Sequence, residues 1–288
     1  MNNFIFFGGK SIGNFVLNRL LEDNNKPKAI IFYRNELETE ILDKAKLLGV
    51  VIYQIQKFRA ELNEIINFIE EQEPDFYISV AFYFILPKSI LNKVKWPINV
   101  HTSELPKYRG NHPIAAAFLS DEPFQGTTIH LMTEEVDSGK ILLQDHIEIT
   151  NEDDMVSVRQ KLIELSYNLL SVVISQLKNN TLFPKNQIGD GTLAPKRTPE
   201  DSKIDFNNKS RYLHNFIRTL VDPYPNAFTF INGDINKTVR IKKSITSNIP
   251  GKVLKQIDAY QYIVSTNDGI IWIQTDKKLA EGEILKIN

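Results

Sequence analysis

Cysteine is absent from all 288 residues, which excludes disulfides, cysteine-ligated zinc, iron–sulfur clusters and thiol catalysis. No apolar run approaches the ~20 residues that a membrane-spanning helix needs. The first residues show no basic segment leading into an apolar stretch, so nothing there resembles a signal peptide, and the cytoplasm is the expected location. Neither sign of charge is in excess: 34 Lys and Arg face 35 Asp and Glu, a formal net charge of −1. The chain as a whole sets up no field that draws in nucleic acid, which leaves only a local basic patch to do so. What is present is apolar. Hydrophobic residues make up 42% of the chain, enough for a substantial core and too many for a disordered or low-complexity chain.

The first half alternates two periods. Phe4–Phe7 is a short apolar run closed by Gly8-Gly9, and helical spacing follows at Ile12, Phe15, Val16, Leu20 and Leu21. Residues 29–33, 50–53, 75–82 and 97–101 read as further strands, with helical patterns around Ile41–Leu48 and Leu62–Ile69. Short strands separated by helices are βαβ units, and right-handed crossovers make them a doubly wound, Rossmann-like parallel sheet. From Thr127 the pattern changes to two strands, 127–132 and 141–149, then a long helix carrying Val158, Leu162, Leu165, Leu169, Val173 and Leu177. An aperiodic stretch leads to a short helix over 212–219 and five short strands between 227 and 274. These readings divide the chain into an α/β domain over 1–183, a linker over 184–205 and a smaller β-rich, OB-like domain over 206–288.

Two places carry possible chemistry. The first is Gly8-Gly9-Lys10-Ser11. It lacks the earlier glycine of a P-loop, since position 4 is Phe4, but Gly9–Gly13 fits the G-x-S-x-G pattern of a serine hydrolase with Ser11 as nucleophile. The preferred reading is a tight βα turn whose amides face a ligand phosphate. The second is Asn99-Val100-His101, where alternation sends both polar side chains to one face at the carboxyl end of a strand, the place where open α/β sheets bind ligands. Metal ligation by His101, His112, His130 and Asp137 matches no zinc spacing.

The register of the longer stretch is more specific. Asn99, His101, Ser103, Leu105, Pro106, Tyr108, Arg109, Gly110 and Pro113, then Thr127 and His130, then Asp137, Gly139, Ile141 and Gln144, resemble the signature of the folate-dependent N-formyltransferases. Lys196-Arg197-Thr198-Pro199 and Asp222–Phe228 are similar to that family's linker and second domain. The resemblance implies the formyltransferase fold and 10-formyltetrahydrofolate as co-substrate. It assigns a catalytic set of Asn99, His101 and Asp137: His101 as base for the attacking amine, Asp137 to orient it, Asn99 to donate a hydrogen bond to the oxyanion. Phe82, Phe84, Ile85, Leu86, Val136 and Ser138 are the implied folate contacts. Gly9, Lys10, Ser11, Ser103, Tyr108, Arg109 and Arg197 are the implied substrate contacts.

Members of that family formylate methionyl-tRNA, nucleotide-linked amino sugars or glycinamide ribonucleotide. The tRNA enzymes typically carry a long basic loop after the second strand, whereas here Arg34 runs into Asn35-Glu-Leu-Glu-Thr-Glu40. Lys237, Arg240, Lys242 and Lys243 form a basic strip further on, but no aromatic residues interleave them as in a nucleic-acid surface. The Asp222–Phe228 segment is similar to the amino-sugar members, such as the 4-amino-4-deoxy-L-arabinose formyltransferases. The expected acceptor is therefore a nucleotide-linked amino sugar, with methionyl-tRNA as the alternative. No membrane partner is implied, and the β-rich domain is a surface on which a homodimer could form.

Overall fold

Residues 4–7 are apolar at every position, and the reason lies in the two faces of the sheet they enter. The computed structural model describes residues 3–231, 234–246 and 252–286, apart from the side chains of 234–237, 243, 245, 246 and 286. Strands β1 (Phe4–Gly8), β2 (Ala29–Tyr33), β3 (Val51–Ile55), β4 (Phe76–Val80) and β5 (Trp96–His101) alternate with helices α1 (Lys10–Glu22), α2 (Thr39–Leu47), α3 (Leu62–Gln72) and α4 (Lys88–Leu91). Phe4 and Phe6 point to one face, among Val16, Leu17 and Leu20 of α1 and Ile41 of α2. Ile5 and Phe7 point to the other, among Ile65 and Ile69 of α3 and Ile90 of α4. Alternation along a strand covered on both sides leaves no polar positions. Each such side chain, once fully buried, contributes roughly 1.5–3 kcal/mol.

The chain continues through β6 (Arg109–Gly110), α5 (Pro113–Leu119), β7 (Phe124–Leu131), β8 (Ile141–Glu148) and the 24-residue α6 (Met155–Lys178). Leu170, Val173, Ile174 and Leu177 of α6 join the core that α1 and α2 cover. The first sheet has the order β3-β2-β1-β4-β5-β7-β8. Neighbours from β3 to β5 are parallel, but β7 runs antiparallel to β5. The sheet is thus parallel from β3 to β5, as the strand–helix alternation predicts, and becomes mixed at β7, where the sequence pattern changes. Helix α5 is absent from the periodic reading, because Ile114-Ala-Ala-Ala-Phe-Leu119 is apolar on all sides and carries no stripe.

After β9 (Leu193–Ala194) come α7 (Ser210–Arg218) and strands β10 (Ala227–Ile231), β11 (Asp234–Thr246), β12 (Val253–Asp258), β13 (Gln261–Ser265), β14 (Ile270–Thr275) and β15 (Leu285–Lys286). They form a second, antiparallel sheet of order β12-β13-β14-β11-β10-β15. Leu213, Phe216 and Ile217 of α7 pack with Val239, Ile241, Val264 and Ile273. The chain forms two units that are not separated by a single cut. The first holds residues 1–110, 126–147 and 160–193, and the second holds 111–125, 148–159 and 194–288. Among the described residues, no helix is long and apolar enough to cross a membrane.

Candidate active site

Asn99 and His101 stand at the carboxyl end of β5, where they pair with His130 and Thr128 of β7. Asp137 reaches them from the connection between β7 and β8. That connection folds tightly back on β7: a Cβ on Gly139 would lie 1.8 Å from the Leu131 carbonyl oxygen, so only glycine fits. Asp137 itself takes a left-handed backbone, φ +52°, and non-glycine residues in that region cluster at functional sites.

One carboxylate serves the whole cluster. Oδ2 of Asp137 lies 3.4 Å from Nδ1 of His101 and accepts the Gly110 N–H at 2.9 Å. Oδ1 lies 3.3 Å from Nε2 of His130 and accepts from Asn99 Nδ2 at 3.4 Å. The other nitrogen of His101, Nε2, is 2.9 Å from the Tyr108 carbonyl oxygen. A carbonyl only accepts, so Nε2 carries the proton of the neutral ring. By the same reasoning His130 donates from Nδ1 to the Leu131 carbonyl at 2.9 Å, which leaves Nε2 to accept from Asn99 Nδ2 at 3.1 Å. Both amide hydrogens of Asn99 are therefore directed at His130 and Asp137.

Burial shapes the charges. His101 is buried, which pushes its pKa below the ordinary 6.5, against the opposing pull of Asp137 and the Tyr108 carbonyl. Burial alone would raise Asp137. The imidazole of His130, the charge of His101 and the Gly110 N–H hold it instead at about 2. The site thus joins a neutral imidazole to a carboxylate that is ionised at neutral pH. This is the state in which an imidazole can accept a proton and the carboxylate can stabilise the resulting cation.

The other expected contacts fall into three groups. Tyr108 supplies its carbonyl to His101, and Gly9, Lys10 and Ser11 lie at the β1–α1 turn, with Ser11 inside the first turn of α1. Ile85 and Val136 are 67% and 40% exposed, and the Lys88–Glu134 ion pair at 3.3 Å brings their two segments together. Several others are engaged in contacts of their own. Phe84 stacks on Phe58, Phe82 meets Phe58 and Phe7 edge-on, and Leu86 is buried in the same cluster. Ser138 bonds within its own turn to Thr133 and Glu135. Ser103 is fully buried, and its hydroxyl donates to the Lys107 carbonyl at 2.7 Å. Arg109, expected at a phosphate, donates to Gln187 Oε1 at 2.7 and 3.3 Å and lies 3.6 Å from Glu135. Arg197 lies in the second unit, with its guanidinium over Phe216. His112, weighed as a metal ligand, is in the second unit too. In the basic strip Arg240 and Lys242 are exposed, and the side chains of Lys237 and Lys243 lie outside the described residues.

Gln187 is a residue that sequence reasoning misses. Its amide nitrogen donates to the carbonyls of Asp137 and Gly139, both at 2.8 Å, while its oxygen receives Arg109. It sits in the aperiodic stretch after α6, where nothing in the pattern marks it. Gln144 plays a comparable part. It donates to the Leu105 carbonyl at 2.9 Å and to Thr128 Oγ1 at 2.7 Å, which fixes the loop after β5.

Residues 2–174 match the formyl transferase family, and residues 196–288 match the formyl transferase C-terminal domain. A methionyl-tRNA formyltransferase of Thermodesulfovibrio yellowstonii is 33% identical over 244 residues, 83% of this chain and 77% of that protein. One of Fusobacterium nucleatum is 33% identical over 253 residues, 82% and 80% of the two chains. Among solved structures, WlaRD, a sugar 3N-formyl transferase crystallised with dTDP and 5-N-formyl-THF, superimposes with a TM-score of 0.72 at 21% identity, covering 97% of this chain and 99% of its own. An N-formyltransferase from Helicobacter canadensis, in complex with folinic acid and dTDP-3-aminofucose, gives 0.69 at 21% identity over 96% and 99%. The family signature runs through the residues that converge on Asp137, and with matches along nearly its whole length this chain belongs to the formyl transferase family and is a formyl-transferring enzyme.

Proposed function

We propose that the enzyme transfers the formyl group of 10-formyltetrahydrofolate to the primary amine of a nucleotide-linked amino sugar. The donor supplies an activated one-carbon unit at the formyl oxidation level, and the exposed apolar side chains of Ile85 and Val136 fit the ring system it carries. His101 removes the proton from the attacking amine. Asp137 stabilises the imidazolium that results, and His101 returns the proton to the departing nitrogen. Asn99 turns one amide hydrogen from His130 toward the formyl oxygen as charge develops there. A donor in such a site supports roughly 3–4 kcal/mol of barrier lowering.

The observation that carries the choice of acceptor is the connection between β2 and α2. It is confined to residues 34–38 and includes Glu36 and Glu38, with Glu40 in the first turn of α2. No room is left there for a basic loop, the feature with which a tRNA enzyme would hold an RNA backbone. The fold likeness to sugar N-formyltransferases agrees with this reading. The 33% identity to methionyl-tRNA formyltransferases favours the second reading, formylation of methionyl-tRNA. A transfer assay with 10-formyltetrahydrofolate against UDP-, dTDP- and CMP-linked amino sugars and methionyl-tRNA separates the two. Formylation of methionyl-tRNA, falling steeply between low and moderate salt, with no amino-sugar nucleotide accepted, would replace the first reading by the second.

A further inference from the structure

At the carboxyl ends of the strands lies a group of aromatic and cationic side chains that the proton-transfer chemistry does not use. Tyr33 ends β2, and Tyr83 stands just past β4. Their rings are stacked, with centroids 4.9 Å apart and planes inclined by 27°. Each ring has its own cation: Lys10 Nζ is 5.5 Å from the Tyr83 centroid, and Arg34 Cζ is 4.8 Å from that of Tyr33. Tyr83 is 57% exposed. Among the described residues neither cation forms an ion pair with a carboxylate. Glu36, whose carboxyl feels Lys10, turns one oxygen inward beneath Gly9.

The backbone singles out the same places. Lys10, Arg34 and Ala81, at the carboxyl ends of β1, β2 and β4, all have left-handed φ angles of +56°, +46° and +50°. Glycine takes that conformation without steric cost, so a lysine and an arginine there indicate that the side chains are wanted. Helix α1 starts at Lys10 with no acidic residue in its first turn, and the Lys10 N–H is held by the Glu36 carbonyl at 3.0 Å, which fixes the backbone from which the lysine side chain extends. Flat π faces next to unpaired cations suit a ligand that is aromatic at one end and multiply anionic beside it.

Strand order supplies the distance. From β5, which carries His101, the sheet runs through β4 and β1 to β2, which carries Tyr33. Three strand spacings amount to about 14 Å. A sugar ring joined to a diphosphate covers a comparable span, with its amine at one end and its base at the other.

We infer that the carboxyl ends of β1, β2 and β4 form a nucleoside-diphosphate platform, on which the base stacks at Tyr33 and Tyr83 while the phosphates meet the side chains of Lys10 and Arg34. The inference rests on the amino-sugar-nucleotide reading only for what the diphosphate carries at its other end.

Calorimetric titration of the full chain tests it, with UDP, dTDP, GDP, inorganic pyrophosphate and 5-formyltetrahydrofolate as probes. At least one nucleoside diphosphate binds the native protein. Tyr83→Ala weakens it by at least about fivefold, and Tyr83→Phe restores it, because stacking needs the ring and not the hydroxyl. The double variant Lys10→Ala/Arg34→Ala weakens it by about tenfold or more and flattens its salt dependence. Folate binding changes less than about twofold in the Lys10→Ala/Arg34→Ala double variant, and Tyr83→Ala, whose ring touches Phe84 of the segment expected at the folate, changes it less than it changes nucleotide binding. Three results would overturn the inference: no nucleoside diphosphate bound by the native protein, pyrophosphate bound as tightly as the nucleotides and indifferent to Tyr83→Ala, or loss of folate affinity in place of nucleotide affinity. Tyr83-dependent nucleotide binding without formylation of any amino-sugar nucleotide would leave the platform standing and remove the acceptor reading.

Discussion

Asp137 holds His101 by one carboxylate oxygen, 3.4 Å from Nδ1, while the opposite nitrogen of the ring donates to the Tyr108 carbonyl. The neutral ring satisfies only the carbonyl. The protonated ring satisfies both neighbours. Burial opposes the charge and lowers the pKa, so the resting imidazole is neutral, and the carboxylate limits how far it falls. To receive a proton at Nε2, the ring must exchange the Tyr108 carbonyl for the incoming amine and carry its resting proton on Nδ1, toward Asp137, instead. Catalytic hydrogen bonds are commonly rearranged in this way when substrate binds.

His101→Ala is expected to lower turnover by at least about 100-fold while circular dichroism stays native, because only the base is removed. In the native enzyme kcat/KM should fall with decreasing pH through an apparent pKa below 6.5, the direction set by burial of His101. Asp137 raises that pKa, so Asp137→Asn should move the acidic limb to still lower pH besides slowing turnover. An acidic limb that moved upward would show that another group titrates.

His130 touches both Asn99 and Asp137. His130→Leu should therefore lower kcat by about tenfold, as misplaced catalytic groups do, with the KM of each substrate changed much less. His130→Gln keeps an acceptor for the Asn99 amide and should recover part of the loss. Equal defects in the two variants would argue that the ring only fills space.

Gly139→Ala would set a methyl group 1.8 Å from the Leu131 carbonyl oxygen, a backbone atom that cannot swing aside. The turn carrying Asp137 has to shift. Activity should fall by at least about 100-fold, the scale of losing precise placement, and a thermal melt should show a lower Tm. A variant with native activity would mean that the turn has room the structure denies it.

In the second unit, Arg218 is buried and donates to the carbonyls of Thr150 and Asp153 at 2.6 and 3.0 Å, with its guanidinium over the ring of Phe118. Burial is the main cause of its pKa falling to about 10. Arg218→Met keeps the volume but leaves two buried acceptors unmet, at a cost of about 2–4 kcal/mol. Chemical denaturation should show this as an earlier midpoint for the unit that contains β10 to β15. An unchanged midpoint would mean water reaches those carbonyls.

Much of the fold is legible from period and register. Every strand from β1 to β5 announces itself as a short apolar run, and α6 and α7 as stripes at helical spacing, because burial against one neighbour or two dictates those patterns locally. Asn99 and His101 can be paired from alternation alone. Other features cannot be read, since they depend on partners far away in the chain. Phe82, Phe84 and Leu86 read alike in one dimension, yet Phe82 meets Phe7 and Phe58 edge-on, Phe84 stacks on Phe58, and Tyr83 and Ile85 between them are left exposed. Nor does any local pattern pair Arg109 with Gln187, 78 residues on.

Strand–helix alternation, the family signature and the chemistry available at residues 99, 101 and 137 follow from side-chain type and short-range spacing, and are present in the unfolded chain. Three relationships exist only once the chain has folded. Strand β7 runs antiparallel beside β5, one carboxylate serves two histidines, and Tyr33, Tyr83, Lys10 and Arg34 meet at neighbouring strand ends. The physical reason is that a contact between residues tens of positions apart is set by how whole faces pack, and no local pattern encodes which faces will meet.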